Sequence, residues 1–461
     1  MPRKSQQTSN RLKSTSCFED RTQRLLLFGA AFCLIAGDNR CWISISTWLG
    51  GFGATLAGGF VLLSGVLLVI NLLRRKTPLL AYYLIPVAAY YLLIGTWHKF
   101  GLDGSSVATR LFAMGLPLYA MLSLDRQDKV RALYCVGVVF AALMGLSAAF
   151  FLLTYIGVSC PYFSLESSNL LKVSMGMHYE ISYLGGSLIY RYGNLTYCGV
   201  FDEAGCVGTF AALLYIALRE CSDIDSFPHA RVVRAVILLS GVLSFSFAFF
   251  LLVVAYLVYS SFKRGNVKLA VGLMVLLIVA FTLTNIDLPQ LSSSRSLSDR
   301  LEVLFSGGGF ANNRVNDQTA MIMREFYKNQ DPITALFGYG PGAFYSIANS
   351  AGVDGCSVEF YLYDYGYLGF ALYYIVLVVL NRCSGRSLTG GWALLVLFLV
   401  STYQRPEVIS SLYLAILVLG SIPERCSSEA HEPAAYGRRG RRLIEKREGI
   451  QREGLGAYTC R

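Results

Sequence analysis

The chain has 461 residues, of which 54% are hydrophobic and 15% are charged, and its formal net charge is +11. Its mean hydropathy is +0.49, and apolar runs recur along nearly its whole length, which excludes a soluble enzyme. Many runs approach the roughly 20 residues that cross a hydrocarbon core, where only a helix satisfies its own backbone groups. The sequence therefore predicts an all-α polytopic membrane protein.

The apolar segments divide the chain into three regions: a basic N-terminus (1–24), a transmembrane helical domain (25–421) and a basic tail (422–461). No cleavable signal peptide is visible, because the first apolar run leads into further spans. We predict about twelve spans, at residues 25–37, 52–73, 78–96, 107–123, 132–156, 200–218, 232–245, 247–262, 269–286, 358–380, 391–403 and 407–421.

Short clusters of Lys and Arg orient these spans, because such clusters concentrate in cytoplasmic loops. An N-terminus inside the cell brings Arg74, Arg75 and Lys76 to the same face after two crossings. Arg231 and Lys263 must also share that face, so the apolar stretch 232–262 is predicted to be a hairpin of two short helices. Both termini are then cytoplasmic, and two long polar loops, 157–197 and 287–357, lie outside.

Charge and cysteine content predict little further chemistry. The orientation clusters account for most of the net charge, so no nucleic-acid partner is predicted, and the tail is either a solvated end or in contact with anionic lipid. The 4 His are dispersed and the 12 Cys show no CxxC spacing, so we predict neither a metal nor another cofactor. Cys160, Cys198 and Cys356 lie in or beside the external loops, where a disulfide can form, with its pairing left open.

The first external loop ends in a charged segment at the start of the sixth span. Asp202 and Glu203 immediately precede the apolar residues there. Charges at such a position either face an internal cavity or cap the helix, whose N-terminus favours negative charge. Both interpretations stay open, and the functional one makes Glu203 an acid, a base or a cation ligand.

The second external loop carries arginines, whose planar and permanent charge suits phosphate and carboxylate groups. Arg300, Arg314 and Arg324 are the candidates, the last on an amphipathic helix predicted from about residue 313 to 328. A glycine-rich segment follows at 336–344, and without a flanking strand and helix it is as readily a tight turn as a binding loop.

Three further ionisable residues, Glu359, Asp364 and Arg405, lie at the outer ends of the last spans. Together with the loops they predict a polar chamber on the external face. A transporter more often carries such groups at the membrane midplane, on broken helices.

These motifs, in this order, resemble the bacterial superfamily of O-antigen polymerases and ligases. Arg191 followed by Gly199-Val200-Phe201-Asp202-Glu203-Ala204-Gly205 looks like the family's "R … G-x-F-x-E-P-G" start of a span. The order of Arg314, Asp331-Pro332, Leu336-Phe337-Gly338-Tyr339-Gly340-Pro341-Gly342 and Tyr365-Gly366-Tyr367-Leu368-Gly369-Phe370 is similar to "R … P … L-x-G-x-G … E-x-G-x-x-G". The resemblance covers about residues 190–415 in motifs and the first half only in layout.

Two positions depart from the family pattern. Ala204 stands where the family usually has Pro, and Cys356-Ser357 occupies the neighbourhood in which ligases and many polymerases carry a His. The missing His favours a polymerase over a ligase.

The resemblance implies a polymerase at the periplasmic face of the bacterial inner membrane, which transfers a growing glycan from undecaprenyl pyrophosphate to a lipid-linked repeat unit. It implies that Arg191, Arg314, and Arg300 or Arg324 stabilise the pyrophosphates. Glu203 is the first candidate base, with Asp364 or Glu359 second. Tyr339 and Arg405 are candidate substrate contacts. Implied partners are the lipid-linked glycan, membrane lipids, a chain-length regulator and a flippase.

Two other functions stay open: a ligase that transfers finished glycan to an acceptor, and a polysaccharide flippase. A flippase should show internal repeats and charges deep in the bundle, and no convincing repeat is visible in the sequence. The choice among O-antigen, capsule and exopolysaccharide also stays open.

Overall fold

The computed structural model describes residues 21–42, 51–96, 110–166, 178–182, 187–191, 194–283, 317–329, 331–340, 342–350, 358–385, 392–404 and 410–422. Its helices are α1 (21–36), α2 (Gly51–Arg75), α3 (Leu84–Thr96), α4 (Gly115–Ser123), α5 (Arg126–Tyr155), α6 (Ala204–Glu220), α7 (Ala230–Leu243), α8 (Phe247–Lys263), α9 (Val267–Leu283), α10 (Asp317–Asn329), α11 (Pro332–Phe337), α12 (Ala343–Ser350), α13 (Val358–Cys383), α14 (Trp392–Gln404) and α15 (Ser411–Gly420).

The predicted helical class is confirmed, and each predicted span overlaps one of these helices. Among the described residues, three helices are long and apolar enough to cross a membrane: Thr55–Arg75, Arg126–Tyr155 and Phe360–Cys383. Five shorter apolar helices of 10–17 residues accompany them. The chain therefore has the character of a membrane protein, while twelve crossings stay a prediction.

Two helices form the centre of the bundle. From Cys206 to Leu218, α6 is buried on almost every side, and every residue of α15 is buried. A helix that is apolar all round is stable only in such a position. Surrounding helices instead expose large aliphatic side chains, among them Leu63, Leu152 and Ile375, which suits an outer surface that meets lipid.

The predicted hairpin within 232–262 is confirmed. Helix α7 ends at Leu243 and α8 begins at Phe247, with Ser244 and Ser246 in the turn. The Ser244 hydroxyl donates to the Gly241 carbonyl at 2.7 Å and accepts from the Ser246 backbone at 3.3 Å. The small polar residues thus satisfy backbone groups at the break.

The first polar loop departs from the all-α prediction. Four strands, β1 (Tyr162–Glu166), β2 (His178–Ser182), β3 (Ser187–Arg191) and β4 (Asn194–Gly199), form an antiparallel sheet in sequential order. Short stretches of aliphatic and aromatic residues such as Leu188-Ile189-Tyr190 suit strands, but their polar surroundings are equally typical of a loop. Cys160 lies just before β1 and Cys198 lies in β4, and both are thiols rather than a disulfide.

A buried carboxylate at one end of the bundle lies in contact with several basic side chains. Asp128, near the start of α5, is completely buried and accepts from Gln23 at 2.9 Å and from Asn71 at 3.3 Å. Arg75 and Arg131 approach the same carboxylate at 3.4 and 3.3 Å. Three helices, α1, α2 and α5, are therefore joined at this end.

Two more of the basic clusters meet at the same level. Lys129 donates to the backbone carbonyl of Ser384, just beyond α13, at 3.0 Å. Arg126 forms an ion pair of 2.8 Å with Asp223, just beyond α6. Clusters predicted from charge alone to share a face thus lie together, and we call this the basic end.

Asp128→Ala is expected to lower the free energy of unfolding by about 3 kcal/mol, because it leaves the buried amides of Gln23 and Asn71 without an acceptor and two arginines without their counter-charge. Thermal unfolding of the purified protein in detergent measures this. Asp125→Ala is the control, because Asp125 only caps α5 by accepting from the Asp128 backbone at 2.7 Å. Its loss should be about 1 kcal/mol, and equal losses in the two variants would contradict the buried cluster.

Candidate functional site

The first candidate site lies at the end of the bundle opposite the basic end. Helix α1 begins beside Asp128 and rises about 1.5 Å per residue, so the residues after its end lie roughly 20 Å away from the basic end. Helix α6 runs the other way, since Asp223 at the basic end follows its last turn. The residues before α6 therefore lie at the opposite end too.

A short backbone pairing joins these two segments. Cys41 pairs with Phe201 in antiparallel fashion, and the backbone N–H of Asp202 donates to the carbonyl of Arg40 at 2.8 Å. The pairing holds the residues that follow α1 against the residues that precede α6. Two parts of the chain some 160 positions apart are thus fixed as one unit.

An ion pair lies directly beside this pairing. The Arg40 Nη1 atom is 3.2 Å from the Asp202 Oδ2 atom, with 24% of the arginine side chain and 8% of the aspartate side chain exposed. The Cys206 thiol donates to the other Asp202 oxygen at 3.6 Å. Asp202 is therefore held in place, while the Arg40 side chain stays partly exposed.

The two residues before Arg40 add a buried acid and a buried amide. Asp38 is fully buried and accepts from the Ser410 hydroxyl at 2.5 Å, at the start of α15, and from the Arg40 backbone at 3.0 Å. The Asn39 Oδ1 atom is buried and finds no hydrogen-bond partner among the described residues. A buried acceptor without a donor is costly and needs an explanation, for which a bound hydroxyl group would serve.

Glu203 occupies the N-cap position of α6 but does not cap it. Its backbone is extended, with φ −146° and ψ 143°, and its side chain accepts no hydrogen bond from the first turn. The residue is half-buried. The Glu203 side chain therefore does not cap α6 by a hydrogen bond, and its role as an acid, a base or a cation ligand stays a prediction.

Arg191 ends β3, where its backbone pairs with Asn194 across the turn to β4. Strand β4, which pairs with β3, leads directly to Val200 and the ion pair, so the sheet lies beside the segment that carries Glu203 in the chain. The side chain of Arg191 lies outside the described atoms.

A second cluster forms around Asp364, in the second turn of α13. The two carboxylate oxygens accept from the backbone N–H groups of Gly342 and Phe344, each at 2.8 Å, and only 7% of the residue is exposed. Asp364 thus caps α12 from a neighbouring helix. Because both oxygens accept from the backbone, Asp364 positions the start of α12, and its predicted role as a base stays a prediction.

The described part of the glycine-rich segment turns tightly against α13, and whether it also binds a ligand stays a prediction. Gly338 crosses α13 at Gly366, where the helix is kinked, and the Tyr339 N–H donates to the Tyr363 carbonyl at 2.9 Å. The Tyr339 ring stacks on Tyr363 with 4.6 Å between ring centroids. Tyr339 is therefore held in an aromatic cluster, and its predicted contact with substrate stays a prediction.

The helix that carries Arg324 belongs to this cluster. Helix α10 is confirmed close to its predicted bounds, and its Phe326 packs edge-on against Tyr339 at 5.9 Å. Arg324 itself points to the exposed side. Nearby, Asp331 caps α11, and hydrogen bonds from the Thr334 backbone and hydroxyl lower the pKa of that carboxyl.

Several predicted site residues fall outside this description. Arg300, Arg314 and Arg405 lie outside the described residues, as does Cys356. Glu359 lies in the first turn of α13, and nothing is described of its side chain. Asp364 takes its side-chain hydrogen bonds from Gly342 and Phe344 alone among the described residues, so it is not joined to Glu203.

The first site brings together a cation, a buried acceptor and a carboxylate. Arg40 supplies a partly exposed fixed cation, Asn39 an unsatisfied acceptor, and Glu203 a carboxylate at the positive end of a helix. Sequence reasoning missed Asp38, Asn39 and Arg40. Their signal was present, since two charges close together directly after the first apolar run are costly unless they are partnered.

Comparison with known protein families, with curated proteins and with solved structures gave no match to this chain in any of the three.

Proposed function

We propose that the chain is a membrane glycosyltransferase that polymerises undecaprenyl-pyrophosphate-linked repeat units into O-antigen, capsule or exopolysaccharide. The reaction takes place at the face opposite the basic end, which is the periplasmic face if the basic end is cytoplasmic. One observation carries the proposal: Arg40, the Asn39 side-chain oxygen without a donor among the described residues, and Glu203, the N-cap residue of α6, lie at one place on that face.

The reaction breaks the bond between the anomeric carbon of the growing glycan and its pyrophosphate. A hydroxyl of the acceptor sugar forms the new glycosidic bond and loses its proton. Glu203 takes that proton, and Arg40 with Arg191 stabilises the charge that develops on the departing pyrophosphate, since electrostatic stabilisation is usually the largest catalytic contribution. The Asn39 oxygen accepts a hydrogen bond from a sugar hydroxyl, which positions the acceptor.

The second cluster has a supporting part in this proposal. It joins the glycine-rich segment to the start of α13 and to α10, which carries Arg324, and it holds Tyr339, which stays a proposed substrate contact, in an aromatic cluster with Tyr363 and Phe326. Arg300, Arg314, Arg405 and Glu359 remain proposed substrate or catalytic contacts on the strength of the resemblance.

The test is the lipid-linked glycan profile of a strain that lacks the gene. The deletion should leave single repeat units on lipid, and the wild-type gene should restore polymer. Glu203→Gln should fail to restore it, because the amide is not a base. Glu220→Gln is the control at the far end of α6, where the side chain accepts from Tyr256 at 2.9 Å, and it should restore polymer.

Two other profiles would contradict the proposal. Long polymer that accumulates on the undecaprenyl carrier would identify a ligase. Repeat units trapped on the cytoplasmic face would identify a flippase.

A further inference from the structure

A cavity at the basic end belongs to neither cluster described above. It has a volume of about 410 Å³ and is open to the surface. The last two turns of α6 contribute Tyr215 and Arg219 to its lining, and the first turns of α7 contribute Arg231 and Arg234. Its size falls in the range of small-ligand sites, roughly 300–1,000 Å³.

The charge of the lining is strongly positive. Three arginines face one acid, Asp225, which pairs with the Arg234 Nη2 atom and is itself 58% exposed. Asp223 contributes nothing here, because it is engaged by Arg126 at 2.8 Å. The cavity therefore carries an excess of two positive charges.

Arg234 is the observation that points to a ligand. Its side chain is only 7% exposed, and its Nη1 atom is buried with no hydrogen-bond partner in the described parts of the chain. A buried guanidinium nitrogen without an acceptor is costly. An anion in the cavity would supply the missing acceptor.

The N-terminus of α7 also favours an anion at the cavity. Helix α7 has 14 residues, and its N-cap residue, His229, makes no side-chain hydrogen bond to the first turn. The N–H groups of that turn and the helix dipole favour an anion at this position. Ala235 and Leu238 form an apolar wall one and two turns further along α7, on the side where α7 exposes Leu239.

We propose that this cavity binds a phosphate group, which is carried either by the headgroup of an anionic lipid or by a soluble phosphate compound. Arginine matches phosphate with two parallel hydrogen bonds, and three arginines leave room for a monoester or a pyrophosphate. The site is independent of the proposed glycosyl transfer, because it lies at the opposite end of α6.

The experiment uses the full-length protein, purified in detergent. Retention of dioleoyl phosphatidate, with dioleoyl phosphatidylcholine as the reference, is measured by native mass spectrometry. The shift of the melting temperature with inorganic pyrophosphate is measured in parallel at low ionic strength, since exposed charges are screened by salt. The variant is Arg219→Gln with Arg231→Gln, because both arginines are exposed and their replacement leaves the core intact.

The variant should bind about tenfold more weakly for each arginine removed. Arg264→Gln removes one exposed charge outside the cavity lining and should bind like the wild type. Loss of phosphatidate retention in the variant identifies the lipid headgroup, and loss of the pyrophosphate shift identifies a soluble ligand. Equal binding by the variant and the wild type, or no binding of either probe to the wild type, would overturn the proposal.

Discussion

Replacing Gly366 by Ala is expected to detach the glycine-rich segment from α13. Gly366 has φ 65° and ψ −177°, and Gly338 has φ 72° and ψ −171°, a region that essentially only glycine occupies. A Cβ atom on Gly366 would lie 2.4 Å from the Leu336 carbonyl oxygen. One on Gly338 would lie 2.4 Å from the Asp364 carbonyl oxygen. The two backbone segments are in direct contact here, so either clash can be relieved only if the segments move apart.

The expected cost is more than about 3 kcal/mol, because backbone strain and a clash with backbone atoms add. The glycine-rich segment and α13 would lose the hydrogen bonds that the Tyr339 and Gly340 N–H groups donate to the Tyr363 and Asp364 carbonyls, at 2.9 and 2.8 Å. Asp364 would also lose its hydrogen bonds from the Gly342 and Phe344 N–H groups at the start of α12. Limited proteolysis of the purified protein should then cut within 331–350, where the wild type resists.

Gly342→Ala is the matched control within the same segment. Gly342 also has a positive φ of 80°, but a Cβ atom there would meet nothing within 4 Å. Only the conformational cost of about 1 kcal/mol applies, so the segment should stay protected. Equal cleavage of the Gly342→Ala and Gly366→Ala proteins would contradict this. It would mean that the conformational cost of Ala at a positive φ loosens the segment, and that the close contact of Gly338 with Gly366 is not what protects it.

Helices were predictable from the sequence because the lipid leaves the backbone no alternative. Hydropathy and the charge clusters located α1 to α9 and α13 to α15, and even the break at Ser244 followed from the need for Arg231 and Lys263 to share a face. The sheet was missed because its strands are only five or six residues long and polar on one side. Such strands depend on pairing with their neighbours, which hydropathy does not encode.

The site residues also differ in how far the sequence predicts them. Residues next to one another in sequence, such as Asp202 and Glu203, were found from local pattern. Their partner Arg40 was not, because the pairing of Cys41 with Phe201 joins positions 160 residues apart. Asp364 shows the opposite limit: a carboxylate near the outer end of a helix has the same sequence pattern whether it meets a substrate or caps a neighbouring helix.

Replacing Arg40 is expected to have the largest effect on activity. Arg40→Ala leaves the carboxylate of Asp202 buried without its counter-charge, which typically costs about 3–5 kcal/mol. It also removes the partly exposed cation proposed to stabilise the pyrophosphate. Polymer should therefore disappear from the lipid-linked glycan profile, and the purified protein should unfold at a lower temperature.

A paired substitution separates the two causes. Arg40→Gln with Asp202→Asn replaces the ion pair by two neutral amides and leaves no buried charge, so the melting temperature should recover most of its loss. If Arg40 acts on the pyrophosphate, polymer stays absent in this stable double variant, because a neutral amide cannot stabilise the developing charge. Arg40→Lys, which keeps the charge but loses the planar fork, should then retain part of the activity. Polymer of wild-type length from the double variant would instead limit the ion pair to holding α1 against α6, and the transfer chemistry would need another cation.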